Sequence, residues 1–288
     1  MTATGPRPSI VLVTRPEHPG QVLAAQLRAQ GCDALWWPAF DLLPAADPAA
    51  LAASIDDLER FDVVIFVSPA AVQAFGGALN RQWPAGTAIA VMGAATQAAV
   101  LGALRGSTQA RILGPVGAGA GEGGSEQLWP VLASLVPAPR RVLLVRAQSG
   151  RQWIVERLRG EGVEVTDVAA YRRVASEPAA DQWAALHAAR LAQLRLAVLY
   201  TSTESVPVLA RQLGRVPALA QWFAGSIGLC IHERIARALH DAGCTDVRRC
   251  NADAASIRVA LQQERGTDRG AAAYDAGSPM PPPAPRIS

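Results

Sequence analysis

Three segments in the first half of the chain have counterparts, in the same order, in the second half. The pairs are residues 10–40 with 142–171, residues 62–72 (DVVIFVSPAAV) with 196–206 (LAVLYTSTESV), and residues 89–106 with 227–244. These segments combine an apolar strand, a short polar turn and a helix. Duplication with insertions in the loops explains the shared order, and chance similarity among such units is the alternative. The pattern predicts an α/β fold of two similar lobes, each with a parallel sheet flanked by helices.

The edge of each predicted sheet is the first place to look for a binding site. Right-handed crossovers place all strand-to-helix turns at one edge, where open α/β sheets bind their ligands. A helix that begins there presents free backbone N–H groups and a partial positive charge, which suit an anion. Two such edges facing each other across a cleft would hold a ligand with several negative charges.

Small and hydroxyl-bearing residues occupy these turns. Ser68 is expected to cap a helix, and either Thr201 or Ser202 takes that place in the second copy. Gly93 permits close backbone approach, and Thr96 offers a hydroxyl. A residue that caps a helix can also lie beside a ligand, so both interpretations stay open. The candidate substrate-binding residues in these turns are Ser68, Ala71, Gly93, Thr96, Thr201 and Ser202.

Charged and aromatic candidates lie near the same predicted edge. Arg15 and Arg146 each end the first strand of a repeat, and Arg151 follows near a helix start. Their planar guanidinium groups suit carboxylates, although exposed salt bridges are the alternative. His232 is a further candidate for ligand contact, although a lone histidine is more often structural. Tyr171 lies where the chain should cross between the lobes; there it either packs at an interface or acts as a proton donor.

The composition excludes several kinds of chemistry. All 27 basic residues are arginine, so Schiff-base formation, pyridoxal phosphate anchoring and a Walker lysine are ruled out. The chain has no H-E-x-x-H motif and no paired C-x-x-C motifs, so no metal site is predicted. The glycine-rich stretch at 117–124 does not closely follow a strong strand, which argues against a dinucleotide loop.

Charge and hydropathy set expectations for partners and compartment. The formal net charge is +3 and the arginines are dispersed, so no nucleic-acid partner is indicated. No apolar run approaches the length of a membrane span, and no signal peptide precedes the first strand. We expect a cytoplasmic protein with four reduced cysteines and no membrane association. Residues 266–288, rich in Gly and Pro, are expected to form a disordered tail.

Seven ordered segments point to a known family. They are VLVTRP (11–16), LRAQGCDALWWPAF (27–40), DVVIFVSPAAV (62–72), VMGAATQAAV (91–100), GGSEQL (123–128), VLLVRAQSGRQWIVERLRGEGVEVTDVAAYRRV (142–174) and LYTSTESV (199–206). In their order and spacing, over residues 9–262, they resemble the uroporphyrinogen-III synthase family. No single motif is specific to it.

The resemblance implies a lobe assignment and a reaction. A discontinuous first lobe comprises residues 9–36 and 175–262, the second lobe comprises 44–168, and the crossing strands comprise 37–43 and 169–174. The implied substrate is hydroxymethylbilane, a linear tetrapyrrole with an acetate and a propionate on each ring. The implied enzyme, a lyase of haem biosynthesis, removes the hydroxyl as water, inverts the last ring and closes the macrocycle without a cofactor. Nothing requires more than a monomer.

The resemblance also assigns a role to Tyr171, which matches the family's tyrosine at the crossing strand and is the candidate for assisting hydroxyl departure. One turn departs from the family pattern. His232, Glu233 and Arg234 stand where many members have a Gly-Pro-Thr-like turn, so a threonine role is not transferred and His232 is at most a substitute donor. The main rival interpretation is a non-catalytic two-lobe sensor or binder of an anionic small molecule. A nucleic-acid-associated regulator is a weaker one.

Overall fold

A computed structural model describes residues 8–104, 106–115 and 124–263. The expected disordered tail at 266–288 lies outside the described residues. Within the described ranges, no helix combines the length and the apolar character needed to cross a membrane.

The first sheet has five parallel strands and is built from the first and last parts of the chain. Its spatial order is β11-β10-β9-β1-β2. The strands are β1 (Ser9–Val13), β2 (Asp33–Trp36), β9 (Arg195–Tyr200), β10 (Ile227–Cys230) and β11 (Asp246–Arg249). The central strands are buried apolar runs, as expected for a parallel sheet covered on both faces.

Helices cover both faces of this sheet. The core on one face includes Leu23 and Leu27 with Ile257, and the core on the other includes Leu186, Leu209, Leu219 and Leu239. The first face is therefore covered by α1 (Glu17–Ala29) and α11 (Ala254–Gln262), and the second by α7 (Ala180–Leu191), α8 (Ser205–Gly214), α9 (Pro217–Ala224) and α10 (Glu233–Asp241).

The second sheet has six strands from the middle of the chain, in the order β3-β8-β7-β4-β5-β6. They are β3 (Phe40–Pro44), β4 (Val63–Phe66), β5 (Ala88–Val91), β6 (Ile112–Leu113), β7 (Arg141–Ala147) and β8 (Glu164–Ala175). One face packs against α2 (Pro48–Asp56), α3 (Pro69–Ala78) and α4 (Ala94–Ala103), and the other against α5 (Ser125–Ala133) and α6 (Trp153–Gly160). Short 3-10 turns span Leu58–Arg60 and Ser107–Gln109.

The strands that join the two lobes belong to this second sheet. The first part of β8 pairs in parallel with β7, and its last residues pair antiparallel with β3, from Tyr171 opposite Pro44 to Ala175 opposite Phe40. The 12-residue strand β8 is therefore shared by sheet and linker. The predicted fold class, two similar α/β lobes joined by a two-stranded linker, is confirmed. The residue bounds predicted for the lobes stay a prediction.

Buried polar bonds attach the linker to the first lobe. Trp37 is fully buried, and its indole N–H donates to Gln212 Oε1 at 3.1 Å. Its ring meets that of Trp183 edge-on, with centroids 4.8 Å apart. At the other linker strand, Ser176 Oγ donates to Asp41 Oδ1 at 2.7 Å. The amide group of Gln212 also donates to the Ser176 carbonyl, so one glutamine side chain joins both linker strands to α8.

Candidate active site at the facing sheet edges

Ser68 begins the site in the second lobe. It follows β4 and caps α3, with its Oγ accepting from the Ala71 backbone N–H at 3.2 Å and Pro69 in the first turn. The predicted cap is therefore confirmed. The same Oγ lies 3.2 Å from the Tyr171 hydroxyl oxygen, although 103 residues separate the two in sequence. Ala71 itself is fully buried, so its binding role is not supported beyond this amide contact.

A β-bulge in β8 positions Tyr171. The β7–β8 register runs from Arg146 opposite Ala169 to Ala147 opposite Tyr171, so Ala170 is the extra residue. The Tyr171 carbonyl then accepts from the Gln148 N–H at 2.8 Å. Bulges next to functional sites often redirect a side chain. Tyr171 is 9% exposed, and the bulge lies next to the residue whose hydroxyl meets Ser68.

A cavity of about 440 Å³ adjoins Tyr171, a size typical of small-molecule sites. Apolar residues of β3, α2 and α3 form most of its wall, and Glu17 of the first lobe completes it. Representative lining residues are Leu43, Pro48, Leu51, Ala74, Gly77 and Tyr171. Neither Ser68 nor Ser202 lines this cavity.

The turn after β5 places Gly93 at the start of α4. Its carbonyl accepts from the backbone N–H groups of Thr96 and Gln97, each at 3.1 Å. Gly93 therefore remains a candidate for ligand approach. Thr96 is only 4% exposed, so the structure does not support its predicted role as a substrate-binding hydroxyl.

Arg146 has a structural role in the fold. Its Nε and Nη2 atoms donate to the two carboxylate oxygens of Asp167, each at 2.7 Å, and the arginine is 7% exposed. This bidentate pair joins β7 to β8 and occupies the guanidinium. The predicted substrate contact of Arg146 is therefore not supported. Arg151 instead lies near the surface, with Nη2 2.7 Å from Glu126 Oε1.

Arg15 has the properties expected of an anion-binding residue. It follows β1 and is half-buried, and burial lowers its pKa because dehydration disfavours the charged form. The side chain makes no hydrogen bond or ion pair with any other residue that the structure describes. Its carbonyl accepts from the Trp36 indole N–H at 2.9 Å, which fixes the turn. Arg15 is thus a partly dehydrated cation without a counter-ion in the described chain.

The first-lobe turn after β9 differs from its prediction. Helix α8 begins at Ser205, and its N-cap residue Glu204 makes no capping side-chain bond. Neither Thr201 nor Ser202 therefore caps the helix, because the chain turns once more before α8 starts. Both are half-buried in that turn, and the Ser202 carbonyl accepts from the Ser205 hydroxyl at 2.5 Å. Their hydroxyls stay candidates for ligand contact.

His232 caps α10. Its Nδ1 accepts from the Arg234 backbone N–H at 3.1 Å. The pKa of His232 is lowered, mainly by burial and further by the positive charges of Arg234 and Arg249. Because Nδ1 is an acceptor, the neutral ring carries its proton on Nε2. The lowered pKa favours this neutral ring, whose Nε2–H is then left to donate.

Sequence reasoning missed two ion pairs. Arg173 in β8 has Nη1 2.8 Å from a carboxylate oxygen of Glu204 in the first lobe, and its Nε is buried without a partner among the described residues. Arg234 at the start of α10 has Nη1 3.5 Å from Glu126 Oε1 in the second lobe. Arg173 lies two residues beyond Tyr171, which places both on one face of the strand. No local signal identifies Glu126 or Arg234.

Together these contacts bring the carboxyl edges of the two sheets to opposite sides of a cleft. The fold and site define a two-lobed α/β protein with a cleft between the lobes and a partly buried tyrosine–serine hydroxyl pair. The family model described as "Uroporphyrinogen-III synthase HemD" matches residues 21–253. The chain therefore belongs to the uroporphyrinogen-III synthase family, which confirms the resemblance and favours an enzyme over a non-catalytic binder.

Individual relatives agree with this assignment. A protein from Escherichia coli (strain K12) named "Uroporphyrinogen-III synthase" is 27% identical over 262 residues, covering 88% of this chain and 99% of the relative. Among solved structures, a mutant uroporphyrinogen III synthase from the extremely thermophilic bacterium Thermus thermophilus matches with a TM-score of 0.55 at 17% identity, covering 89% of this chain and 100% of that one. The uroporphyrinogen-III synthetase from Helicobacter pylori 26695 matches with a TM-score of 0.52 at 14% identity, covering 88% of this chain and 98% of that one. These structures support the fold.

Proposed function

We propose that this chain is a uroporphyrinogen-III synthase. It would convert hydroxymethylbilane into the type III macrocycle, with inversion of the last pyrrole ring and loss of water. Family membership supports this activity, as does the near full-length similarity to the E. coli protein of that name.

The observation on which the catalytic proposal rests is the 3.2 Å contact between the Tyr171 and Ser68 hydroxyls. Ser68 Oγ already accepts from the Ala71 N–H, so its own proton is free to point to the Tyr171 oxygen. In that arrangement the Tyr171 proton is directed to the substrate. Ser68 then also stabilises the negative charge that develops on the tyrosine oxygen as the proton leaves.

The proton balance of the proposed step closes without a cofactor. Tyr171 donates its proton to the departing hydroxyl, the carbon–oxygen bond breaks, and water leaves. The pyrrole nitrogen stabilises the resulting carbocation. The substituted carbon of the last ring attacks this cation, and rearrangement followed by loss of one pyrrole carbon proton restores the ring system and returns a proton to Tyr171. The net change is loss of one water molecule.

Binding is proposed to orient the substrate through its carboxylates. Arg15 supplies a cation without a described counter-ion, and the helix starts at Ser68, Gly93 and His232 supply N–H groups. The apolar cavity beside Tyr171 suits the face of a pyrrole ring. Unassisted closure proceeds without ring inversion, so positioning decides the product. Such orientation effects are worth roughly 7–11 kcal/mol at best.

Further parts of the proposal concern class and assembly. The enzyme is a cofactor-independent, metal-free lyase that acts as a monomer in the cytoplasm, without a nucleic-acid or membrane partner. Its first lobe is assigned to residues 9–36 with 175–262, and its second to 44–168.

Product analysis tests the proposed function. Purified protein is supplied with freshly prepared hydroxymethylbilane, and the products are oxidised and separated as porphyrin isomers. The expected result is type III porphyrin. Type I porphyrin alone, as in a protein-free control, would show that the chain is not a synthase and would leave a binder of anionic molecules as the better interpretation.

A further inference from the structure

One glutamate lies between arginines from opposite lobes. Glu126 Oε1 lies 2.7 Å from Arg151 Nη2 in the second lobe and 3.5 Å from Arg234 Nη1 in the first. Glu126 is the second residue of α5, Arg151 lies just before α6, and Arg234 is the second residue of α10. Three helix starts therefore meet around one carboxylate oxygen.

The charges around this carboxylate favour its ionised form. The pKa of Glu126 is lowered, mainly by its hydrogen bond from Arg151 and further by the charges of Arg151 and Arg234, while partial burial opposes this shift. Arg249 lies nearby, 3.7 Å from Glu233, and burial lowers the pKa of His232, which disfavours a positive charge on that ring. Arg237 also lies 3.6 Å from Glu233, so the cluster presents four guanidinium groups to two carboxylates.

Because the ion pairs of Glu126 with Arg151 and Arg234 are exposed to solvent, a carboxylate of a ligand can replace Glu126. The side chains of Glu126, Arg151 and Arg234 are 48%, 47% and 45% exposed. Ion pairs this exposed contribute little to stability. A carboxylate from another molecule would meet the same two arginines with no new buried charge, and arginine binds carboxylates through two parallel hydrogen bonds.

We propose that Arg151 and Arg234 form a binding site for one substrate carboxylate, and that Glu126 occupies this site until the substrate displaces it. This inference rests on the proposed function, because it takes the ligand to be the polycarboxylate hydroxymethylbilane. Arg234 thereby becomes a substrate-binding residue supplied by the first lobe. Glu126 is a competitor that holds the arginines in place in the empty enzyme.

A purely structural role for the same contacts makes the opposite prediction. If Glu126 only ties the lobes together, its removal loosens the cleft and weakens binding. If it competes with substrate, its removal strengthens binding. The variant Glu126→Gln, which keeps the side-chain size and removes the charge, separates the two roles.

The experiment measures kcat and KM for hydroxymethylbilane. Glu126→Gln is expected to lower KM by about two- to fivefold, the range of an exposed ion pair. Arg234→Gln is expected to raise KM by about two- to fivefold, the same range for an exposed pair, with kcat nearly retained. In Glu126→Gln/Arg234→Gln the gain from removing the glutamate should largely disappear.

Charge-matched controls lie at the opposite edge of the second sheet. Glu59 and Arg60 belong to the turn that precedes β4; Glu59 pairs with Arg81, and Arg60 pairs with Asp57. Glu59→Gln and Arg60→Gln repeat the charge changes away from the cleft. Both should leave KM within about twofold of the parent value, because surface charges separated by more than about 10 Å are largely screened at 0.1 M salt.

A second readout does not depend on turnover. Binding of uroporphyrin III, an octacarboxylate, is followed by its fluorescence; the dissociation constant should fall for Glu126→Gln and rise for Arg234→Gln. Weaker binding by Glu126→Gln, or no change in either variant, overturns the inference. Absence of type III product from the parent protein refutes the proposed function instead, while the fluorescence titration still decides the carboxylate exchange.

Discussion

The close approach of helix α1 to the turn after β1 gives a prediction whose size follows from the structure. A Cβ atom added at Gly20 would lie 2.2 Å from the Arg15 carbonyl oxygen and 2.6 Å from Trp36 Nε1. Gly20→Ala must therefore displace the helix and break the 2.9 Å bond between the Trp36 indole and the Arg15 carbonyl.

Opposing free-energy contributions determine how much Gly20→Ala changes the free energy of unfolding. Overpacking of a buried position costs about 1–3 kcal/mol, and loss of the hydrogen bond costs about 0.5–1.5 kcal/mol. Alanine is better than glycine inside a helix by about 0.5–1 kcal/mol, which offsets part of this loss. We expect Gly20→Ala to lower the free energy of unfolding by about 0.5–4 kcal/mol, the sum of these terms.

Urea unfolding followed by circular dichroism measures this change. Gly102→Ala is the matched control, because Gly102 lies exposed in α4 and an added Cβ would meet nothing within 4 Å. That variant should gain about 0.5–1 kcal/mol. If Gly20→Ala proves as stable as Gly102→Ala, the contact around Arg15 is not as tight as argued.

Three further predictions concern single side chains. Tyr171→Phe should lower kcat by roughly 10²-fold or more, as expected for loss of a general acid. The control Tyr200→Phe, in the first-lobe core, should retain activity. Equal rates for the parent and Tyr171→Phe would refute the proposed proton-donor role. The pKa of His232 is depressed in the folded state, so its contribution to stability is complete above its unfolded pKa and is lost as pH falls through the folded value. Urea unfolding at pH 7.5 and 5 should therefore show a larger loss for the parent than for His232→Asn, whose cap does not titrate; parallel losses would contradict the capping argument. Asp167→Asn should cost about 2–3 kcal/mol of stability, because the buried Arg146 is left without its carboxylate. Replacing both partners with Leu and Met should recover most of that loss in the same denaturation assay, and no recovery would argue against an uncompensated charge as its cause.

The fold was predictable because hydrophobic patterning identifies each strand and helix from neighbouring residues, and the repeated segments show the same pattern twice. A buried apolar run followed by a capping serine, as at Ser68, determines both a strand and the start of the next helix. Parallel topology then brings all such turns to one edge. The start of α8 was not predictable in this way, since Thr201 and Ser202 have good capping chemistry but the chain continues to Ser205 before the helix begins.

The pairing of charged groups depends on contacts between distant parts of the chain. Arg146 has the position of a ligand-binding residue, and only the β7–β8 register reveals that Asp167 occupies it. The bulge at Ala170 arises where the pairing of β7 with β8 shifts register, and no sequence pattern predicts that shift. Glu126 meets Arg234 only because the lobes face each other. Such contacts between lobes arise from the tertiary structure alone.

The unbroken course of β8 determines how the two lobes can move. Bending within the strand would break backbone bonds to β7 or β3, so rotation should concentrate at the junction near Ala39 and Ser176. Tyr171 and Ser68 lie on the same side of that junction and would travel as one rigid body. Admission of a large, flexible ligand would then move the first lobe while the Tyr171 and Ser68 hydroxyls stay aligned with each other.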